Sequence, residues 1–132
     1  MNYWLIKSPF KNRSWQEAVM SGRFSLFGIR SNPARKNISE MNIGDKALYY
    51  HNKQIWGIME VMTEPYQDPT SEKNWLSVDF QPVKSFENPI TLEQIKQNEL
   101  LKNSAIIKQP RLSVVKLSVE EYEYFCEEIE RK

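Results

Sequence analysis

The chain opens on the stretch Tyr3-Trp4-Leu5-Ile6-Lys7-Ser8. A short run of aromatic and β-branched residues predicts a β-strand over Tyr3–Lys7. The same run combines an aromatic side chain, Trp4, with a cation, Lys7, at the end of the strand. We therefore expect this first strand to build one wall of a ligand pocket.

Capping signals place the first helices and a hairpin. The capping box Ser14-Trp15-Gln16-Glu17 predicts a two-turn helix that stops at Gly22. Asn32-Pro33 is typical of an N-cap and a first helical residue, so a second helix is expected from there. Strands are predicted over residues 46–52 and 55–63, with a short hairpin connection at Lys53-Gln54 that lacks the usual Asn-Gly pair.

The second half of the chain continues the alternation of strands and helices. Strands are predicted over residues 75–83 and 113–117. Thr91 with Gln94, and Ser118 with Glu121, form two more capping boxes, and a terminal helix is expected to face the core with Tyr122, Phe125 and Ile129. Short strands with inserted helices indicate an α+β domain with a curved or barrel-like sheet.

Length and composition are those of a globular domain. The 132 residues fit a single domain, 1–132, and 40% are hydrophobic and 27% charged. Cys126 is the one cysteine, so no internal disulfide can form, and a cytoplasmic location is expected, with a nuclear one as the alternative. No apolar run approaches the roughly 20 residues that cross a bilayer, and the first residues lack signal-peptide features. We expect no membrane attachment.

The net charge of +1 is unevenly distributed. Residues 1–37 hold seven basic side chains against one acidic side chain, a net of +6. Residues 118–132 hold six glutamates against two basic residues, a net of −4. Such asymmetry can give a near-neutral protein one basic face, which suits a phosphate-bearing ligand. The alternative is that these charges only solvate the surface.

Residue types that carry catalysis or bind metals are sparse. With one histidine, His51, and one cysteine, no spaced set of metal ligands exists, so no metal and no cofactor are expected. Cys126 lies on an acidic helix, which disfavours a reactive thiolate. The four glycines form no phosphate-binding loop, and Asp68 with Glu72 is expected to shape a loop. The sequence therefore predicts a protein that is not an enzyme.

Aromatic residues are the strongest remaining signal. The chain has four tryptophans, six tyrosines and six phenylalanines. Stacking on an aromatic ring contributes roughly 1–3 kcal/mol per base, and neighbouring cations suit the phosphates. Trp15 and Trp56 are interpreted as structural because they lie within a helix and a strand. Trp75 and Tyr66 flank a loop rich in proline and aspartate, so they are candidates for a pocket rim.

The chain resembles a known family in an ordered set of segments. These are Tyr3-Trp4-Leu5-Ile6-Lys7-Ser8, Gly28-Ile29-Arg30, Ala34-Arg35, Met41 with Gly44-Asp45, Tyr50-His51, Gly57-Ile58 with Glu60-Val61, Tyr66-Gln67-Asp68-Pro69-Thr70, Trp75 with Val78-Asp79, and Arg111-Leu112-Ser113-Val114. Together they resemble the EVE domain of the PUA-like superfamily over nearly the whole chain. The opening segment is also similar to the start of YTH domains, which read N6-methyladenine in RNA.

The resemblance implies a PUA-like twisted β-barrel with flanking helices, and a pocket that accepts a base. It implies nucleic acid, DNA or RNA with a modified base, as the partner of a non-catalytic module, and we expect the protein to be a monomer. The ligand-binding residues that it implies, together with the rim candidates, are Trp4, Lys7, Ser8, Arg30, Tyr50, His51, Tyr66, Trp75, Arg111, Leu112 and Ser113.

The chain departs from the family pattern between residues 26 and 36. The family tryptophan is replaced by Leu26, and the family Asn-Tyr pair by Ser31-Asn32. Phe27 or Phe10 could supply the aromatic wall instead. Two other functions remain open: an enzyme or accessory in nucleotide or RNA modification, and a module for a small molecule or protein that has lost nucleic-acid binding.

Overall fold

The computed structural model describes residues 1–8 and 14–130, with side chains up to residue 127. In chain order its elements are β1 (Tyr3–Lys7), α1 (Trp15–Ser21), β2 (Phe24–Ser25), α2 (Asn32–Ser39), β3 (Lys46–His51), β4 (Gln54–Val61), β5 (Tyr66–Gln67), β6 (Leu76–Ser77), β7 (Asp79–Thr91), α3 (Leu92–Gln97), α4 (Ala105–Lys108), β8 (Val114–Leu117) and α5 (Val119–Glu130).

A six-stranded curled sheet organises the molecule, in the order β2-β7-β4-β3-β1-β8. β1 is parallel to β3 and antiparallel to β8, whereas β4 is antiparallel to both β3 and β7. The opening strand is therefore central, between two partners that come from distant parts of the chain. β5 and β6 form a separate two-stranded ladder within the loop between β4 and β7.

Both faces of the sheet are covered by helices. On the first face, Trp4, Ile6 and Tyr49 belong to a buried cluster that α1 and α2 complete through Trp15 and Ile38. On the second face, Leu5 and Leu48 belong to a cluster completed by Ile95 of α3, Ile106 of α4 and Phe125 of α5. Successive strand residues point to opposite faces, so each strand supplies both clusters.

The predicted α+β class, with a barrel-like sheet and flanking helices, is confirmed. Several local predictions are confirmed as well. The hydroxyl of Ser14 accepts the Glu17 N–H, and α1 stops at Gly22 with a φ of 73°. Both hydrogen bonds of the Thr91 and Gln94 capping box are present. Ser118 and Glu121 also bond reciprocally, at 2.9 and 3.1 Å.

Other boundaries differ from the sequence prediction. The α2 N-cap is Ser31 rather than Asn32, and the hairpin turn is Asn52-Lys53 rather than Lys53-Gln54. The single strand predicted over 75–83 is divided into β6, which belongs to the two-stranded ladder, and β7, which continues to Thr91 through Pro82 and Pro89. Proline is tolerated there because, in the part of the chain that the structure describes, β2 pairs only with the first two residues of β7 and no strand pairs with the outer edge beyond them. The predicted core position of Ile129 lies outside the described side chains, because side chains are described only up to residue 127.

Gly57 provides a test of the packing between α1 and the sheet. A Cβ at this position would lie 2.3 Å from the Trp15 ring and 2.5 Å from the Lys84 carbonyl oxygen. The ring is held by its indole N–H, which donates to Ser85 Oγ at 2.8 Å. We expect Gly57→Ala to lower the free energy of unfolding by about 1–3 kcal/mol, measured by urea denaturation.

Gly22→Ala is the control for this prediction. An added Cβ at Gly22 meets nothing within 4 Å, so only the left-handed φ of 73° opposes it. A loss of about 1 kcal/mol is expected there. An unchanged urea midpoint for Gly57→Ala would contradict the close packing of Trp15 on β4.

Candidate functional site

Three segments meet where β1 ends. Because β1 and β3 are parallel, Lys7 lies beside Tyr50 at the same end of the sheet. β8 runs in the opposite direction, so the residue before its start arrives at this end too, and the Lys7 N–H donates to the Ser113 carbonyl at 2.8 Å. The topology thus brings together predicted site residues that are more than 40 positions apart in the chain.

Lys7 is held in a half-buried position. Its ammonium donates to the Pro110 carbonyl at 3.0 Å and lies 4.9 Å from the centre of the Tyr50 ring. Burial lowers the pKa of Lys7 and raises the pKa of the Tyr50 hydroxyl. An ammonium has three donors, and within residues 1–8 and 14–130 it bonds the Pro110 carbonyl, so an anionic or carbonyl oxygen of a ligand could accept a further bond. Ser8 follows at the strand end and is partly exposed.

Tyr50 and His51 point to opposite faces of the sheet. Tyr50 packs against the cluster of the second face. His51 stacks on Tyr49, with ring centroids 6.5 Å apart and planes 23° apart, and Tyr49 belongs to the cluster of the first face. The His51 carbonyl accepts the indole N–H of Trp56 at 2.8 Å. The Tyr50 side chain therefore lies on the second face of the sheet and the His51 side chain on the first, because successive strand residues alternate between the faces.

A second group of predicted residues forms around Arg30. Its guanidinium donates to Asp68 Oδ2 at 3.0 Å and to Thr70 Oγ1 at 2.8 Å. The Arg30 side chain is 38% exposed, whereas that of Asp68 is fully buried. Burial would raise the pKa of the Asp68 carboxyl, but hydrogen bonds from Thr70, Gly28 and Arg30 outweigh it and hold the pKa at about 2. Asp68 is therefore an anionic anchor for Arg30.

Trp75 lies between two arginines. The guanidinium carbons of Arg30 and Arg35 are 5.9 and 5.8 Å from the centre of its ring. Arg35 also donates to the Asn74 carbonyl at 3.0 Å. The indole is partly exposed, so this group presents an aromatic ring with cations on a surface that solvent reaches.

Tyr66 is bound into a network rather than left free. Its hydroxyl donates to Asp79 Oδ1, and Arg23 donates to the other oxygen of the same carboxylate. Burial and the bond to Asp79 raise the pKa of the Tyr66 hydroxyl. Tyr66 thereby ties the β5–β6 ladder to the start of β7 and leaves its ring half-exposed.

The remaining predicted residues differ in exposure. Trp4 has no exposed surface, and its indole N–H donates to Asp45 at 3.1 Å. It lies inside the core and supports the wall from there, whereas the sequence placed it among the residues that contact the ligand. Arg111 is exposed, and Leu112 packs against both clusters. Ser113 contributes its carbonyl to the Lys7 N–H.

The altered segment contains both buried and partly exposed side chains. Leu26, in place of the family tryptophan, is fully buried in the cluster of the first face. Phe27 is partly exposed, and Phe10 lies outside the described residues. Sequence reasoning missed Arg35 as a second cation on Trp75. Its spacing of five residues from Arg30 carries no such signal, because α2 begins between them.

No group of three or more histidine, cysteine, aspartate or glutamate side chains that could hold a metal ion occurs within residues 1–8 and 14–130. In the part of the chain that the structure describes, no helix is long and apolar enough to cross a membrane.

A curled six-stranded sheet, helix-covered on both faces, defines a PUA-like α+β domain. The chain belongs to the EVE domain family, whose model matches residues 2–128. Among sequence relatives, mouse thymocyte nuclear protein 1 is 29% identical over 93% of this chain and 71% of its own length. An uncharacterised protein of Schizosaccharomyces pombe is 29% identical over 92% of this chain and 61% of its own length.

Solved structures agree with this assignment. A protein from Rhodopseudomonas palustris superposes with a TM-score of 0.89 at 34% identity, covering 96% of this chain and 92% of its own. Human THYN1 in complex with DNA containing 5-methylcytosine superposes with a TM-score of 0.89 at 25% identity, covering 100% and 99%. A YTH domain from Zygosaccharomyces rouxii, bound to N6-methyladenosine RNA, shares the fold at a TM-score of 0.58 and 12% identity, covering 97% and 86%.

Proposed function

We propose that this chain is a non-catalytic nucleic-acid-binding module that reads a modified base. The observation that carries the proposal is the whole-length similarity to human THYN1, which was solved with DNA containing 5-methylcytosine. Similarity at 25% identity with a TM-score of 0.89 places equivalent strands and loops at the same positions. We expect the ligand at the end of the sheet where β1 and β3 finish, because Lys7, Tyr50 and Ser113 meet there.

The chemistry of this end supports a base and its phosphates. A base in a pocket needs polar groups for its edge, and its backbone needs cations. Lys7 offers a half-buried ammonium, and Ser8 follows it. Arg30, Arg35 and Trp75 form a separate cationic aromatic surface, built from the segment after β2, from α2 and from the β5–β6 loop, and we expect it to contact the strand that carries the base.

Selectivity for a modified base follows from burial. A methyl group on a base gains about 0.8 kcal/mol when it leaves water for an apolar surface. Phosphate contacts, by contrast, are the same for modified and unmodified strands. Discrimination between the two should therefore persist as salt weakens the phosphate contacts.

Fluorescence anisotropy with labelled oligonucleotides tests the proposal. The set comprises DNA duplexes and single strands that differ only in cytosine, 5-methylcytosine or 5-hydroxymethylcytosine, and RNA with or without N6-methyladenine. We expect binding at 50 mM salt, and a preference for one modified strand that is retained at 200 mM. If no oligonucleotide binds at low salt, the proposed function is wrong.

Lys7→Met tests the site itself. The substitution keeps the aliphatic stem over Tyr50 and removes the ammonium, so the fold should be retained. A hydrogen bond to a charged group contributes about 1.5–3 kcal/mol, and we expect affinity for the preferred oligonucleotide to fall about tenfold or more. Anisotropy titration measures the affinity, and thermal unfolding checks the fold.

Lys84→Met is the matched control, because Lys84 is an exposed lysine on β7, three strands from β1 in the sheet order. It removes the same charge and should leave the affinity nearly unchanged. If Lys7→Met and the unsubstituted chain have equal affinities, Lys7 does not contact the ligand. Arg30 is a poorer choice for this test, because its loss would leave the buried carboxylate of Asp68 without its cation.

A further inference from the structure

The turn between β3 and β4 has an unusual residue at its second position. His51 pairs with Gln54, so the loop consists of Asn52 and Lys53, with φ values of 51° and 59°. Two-residue turns with both φ values positive favour Asn-Gly, because glycine has no Cβ to clash in the left-handed region. A lysine is held here in a conformation that disfavours any side chain.

The same turn is fixed against the start of α3. The Lys53 carbonyl accepts the N–H of Leu92 at 2.9 Å. Lys96 lies one helical turn further along α3, and both lysine side chains are exposed. They line a depression of about 370 Å³ together with the polar residues Asn52, Gln54 and Thr91, the apolar Leu92 and the acidic Glu93. Two lysines against one glutamate leave this surface with a net positive charge.

This surface, defined by Lys53 and Lys96, adjoins the candidate site. Tyr50 pairs with Lys7, and Lys53 is only three residues beyond Tyr50, no more than about 11 Å along the chain. A nucleic-acid strand advances by about 3.4 Å per nucleotide along a duplex. Lys7 is one strand spacing of about 4.8 Å further away, so it lies within about 16 Å of the turn, and a strand with a base near Lys7 would reach the turn within about five nucleotides.

We propose that Lys53 and Lys96 bind backbone phosphates of the strand that flanks the base held near Lys7. The inference rests on the proposed function and extends it from one base to a track along the strand. Residues kept in strained backbone conformations are often functional, and lysine at this position supplies a cation that glycine lacks. Phosphate contacts of this kind set affinity and position without reading sequence.

Lys53→Gly separates this role from a role in folding. Glycine fits the left-handed φ of 59°, so the thermal unfolding midpoint should stay equal or rise. Affinity for the preferred oligonucleotide should fall about two- to fivefold at 50 mM salt. The slope of log affinity against log salt should become shallower by about 0.7–0.9, the value for one phosphate contact, and adding Lys96→Gln should remove a second such increment.

Lys84→Gln serves as the control, since it removes an exposed lysine from the middle of β7 and should leave the slope unchanged. One outcome separates the two proposals: the unsubstituted chain binds and discriminates a modified strand, but the double variant Lys53→Gly with Lys96→Gln has the same slope of log affinity against log salt. In that case Lys53 and Lys96 do not bind phosphates, and the base-reading function stands. If the unsubstituted chain binds no oligonucleotide, both are overturned.

Discussion

Replacing Trp4 with alanine is expected to lower the free energy of unfolding by about 3–5 kcal/mol, the usual cost of truncating a buried aromatic side chain. Trp4 has no exposed surface and lies in a central strand, between β3 and β8. Its partners across the strands are Ala47 and Lys116. Ala47 is too small to fill the volume of an indole, and the Lys116 ammonium, 5.8 Å from the centre of the ring, would lose solvation if it moved inward, so a cavity should remain.

The loss also affects a buried carboxylate. Asp45 is only 2% exposed and accepts the Trp4 indole N–H and the backbone N–H groups of Asn2 and Asn42. Removing the indole takes away one of these donors. The free energy of unfolding of a domain of this size is about 5–15 kcal/mol, so the expected loss on Trp4→Ala is a large fraction of it.

Trp4→Phe is the matched control, because it keeps an aromatic ring and removes the hydrogen bond to Asp45. We expect a smaller loss of about 1–2 kcal/mol. Urea denaturation followed by circular dichroism measures both variants. A small loss for Trp4→Ala would mean that the opening strand is not central in the sheet. Binding to an oligonucleotide should change only as far as the folded fraction changes, because Trp4 is inside the core.

The second large effect is expected at Asp68. This carboxylate accepts the Gly28 N–H at 2.8 Å, the Thr70 N–H and hydroxyl at 2.8 and 2.6 Å, and the Arg30 guanidinium at 3.0 Å. It joins the β5–β6 loop to the segment after β2. We expect Asp68→Asn to lower the free energy of unfolding by about 2–3 kcal/mol at pH 7, because an amide cannot accept all these bonds.

The pH dependence has a defined direction. The pKa of Asp68 is about 2 in the folded protein against an ordinary value of 3.8, so the unfolded chain binds a proton more readily. Its stabilising effect is therefore complete above about pH 4 and is lost as the pH falls from 3.8 towards 2. The difference in stability between the unsubstituted chain and Asp68→Asn should shrink over this range.

Urea denaturation of both proteins between pH 7 and pH 2 measures this difference. Glu72→Gln is the control in the same loop, since Glu72 is exposed and its neutralisation should change stability little. A constant difference between Asp68→Asn and the unsubstituted chain down to pH 2 would contradict the low pKa. Oligonucleotide affinity should also fall in Asp68→Asn, because Arg30 loses the anion that orients it towards Trp75.

The prediction that Asp68 shapes a loop is confirmed, but its partners could not be inferred from the sequence. Gly28 and Arg30 are 40 and 38 residues away. Nothing in their spacing indicates contact, because the β5–β6 ladder must fold back before the loop reaches them. The same holds for the arginines on Trp75, which meet the ring only once α2 has packed beside β6.

The sequence by itself determined the caps and turns that depend on residues within about four positions, such as Ser14 with Glu17 and Thr91 with Gln94. Their hydrogen bonds form within one helical turn, so local spacing suffices. It also determined the family, through the opening segment Tyr3–Lys7 and the ordered segments that follow.

Only the tertiary structure decided what the opening strand does. Placed between β3 and β8, the strand buries Trp4 completely and leaves Lys7 half-buried beside Tyr50 and Ser113. An aromatic and a cation in one short run predict a pocket wall, but burial depends on partners more than 40 residues away. Strand pairing, a long-range interaction, therefore assigned Trp4 to the core and Lys7 to the surface that a ligand can reach.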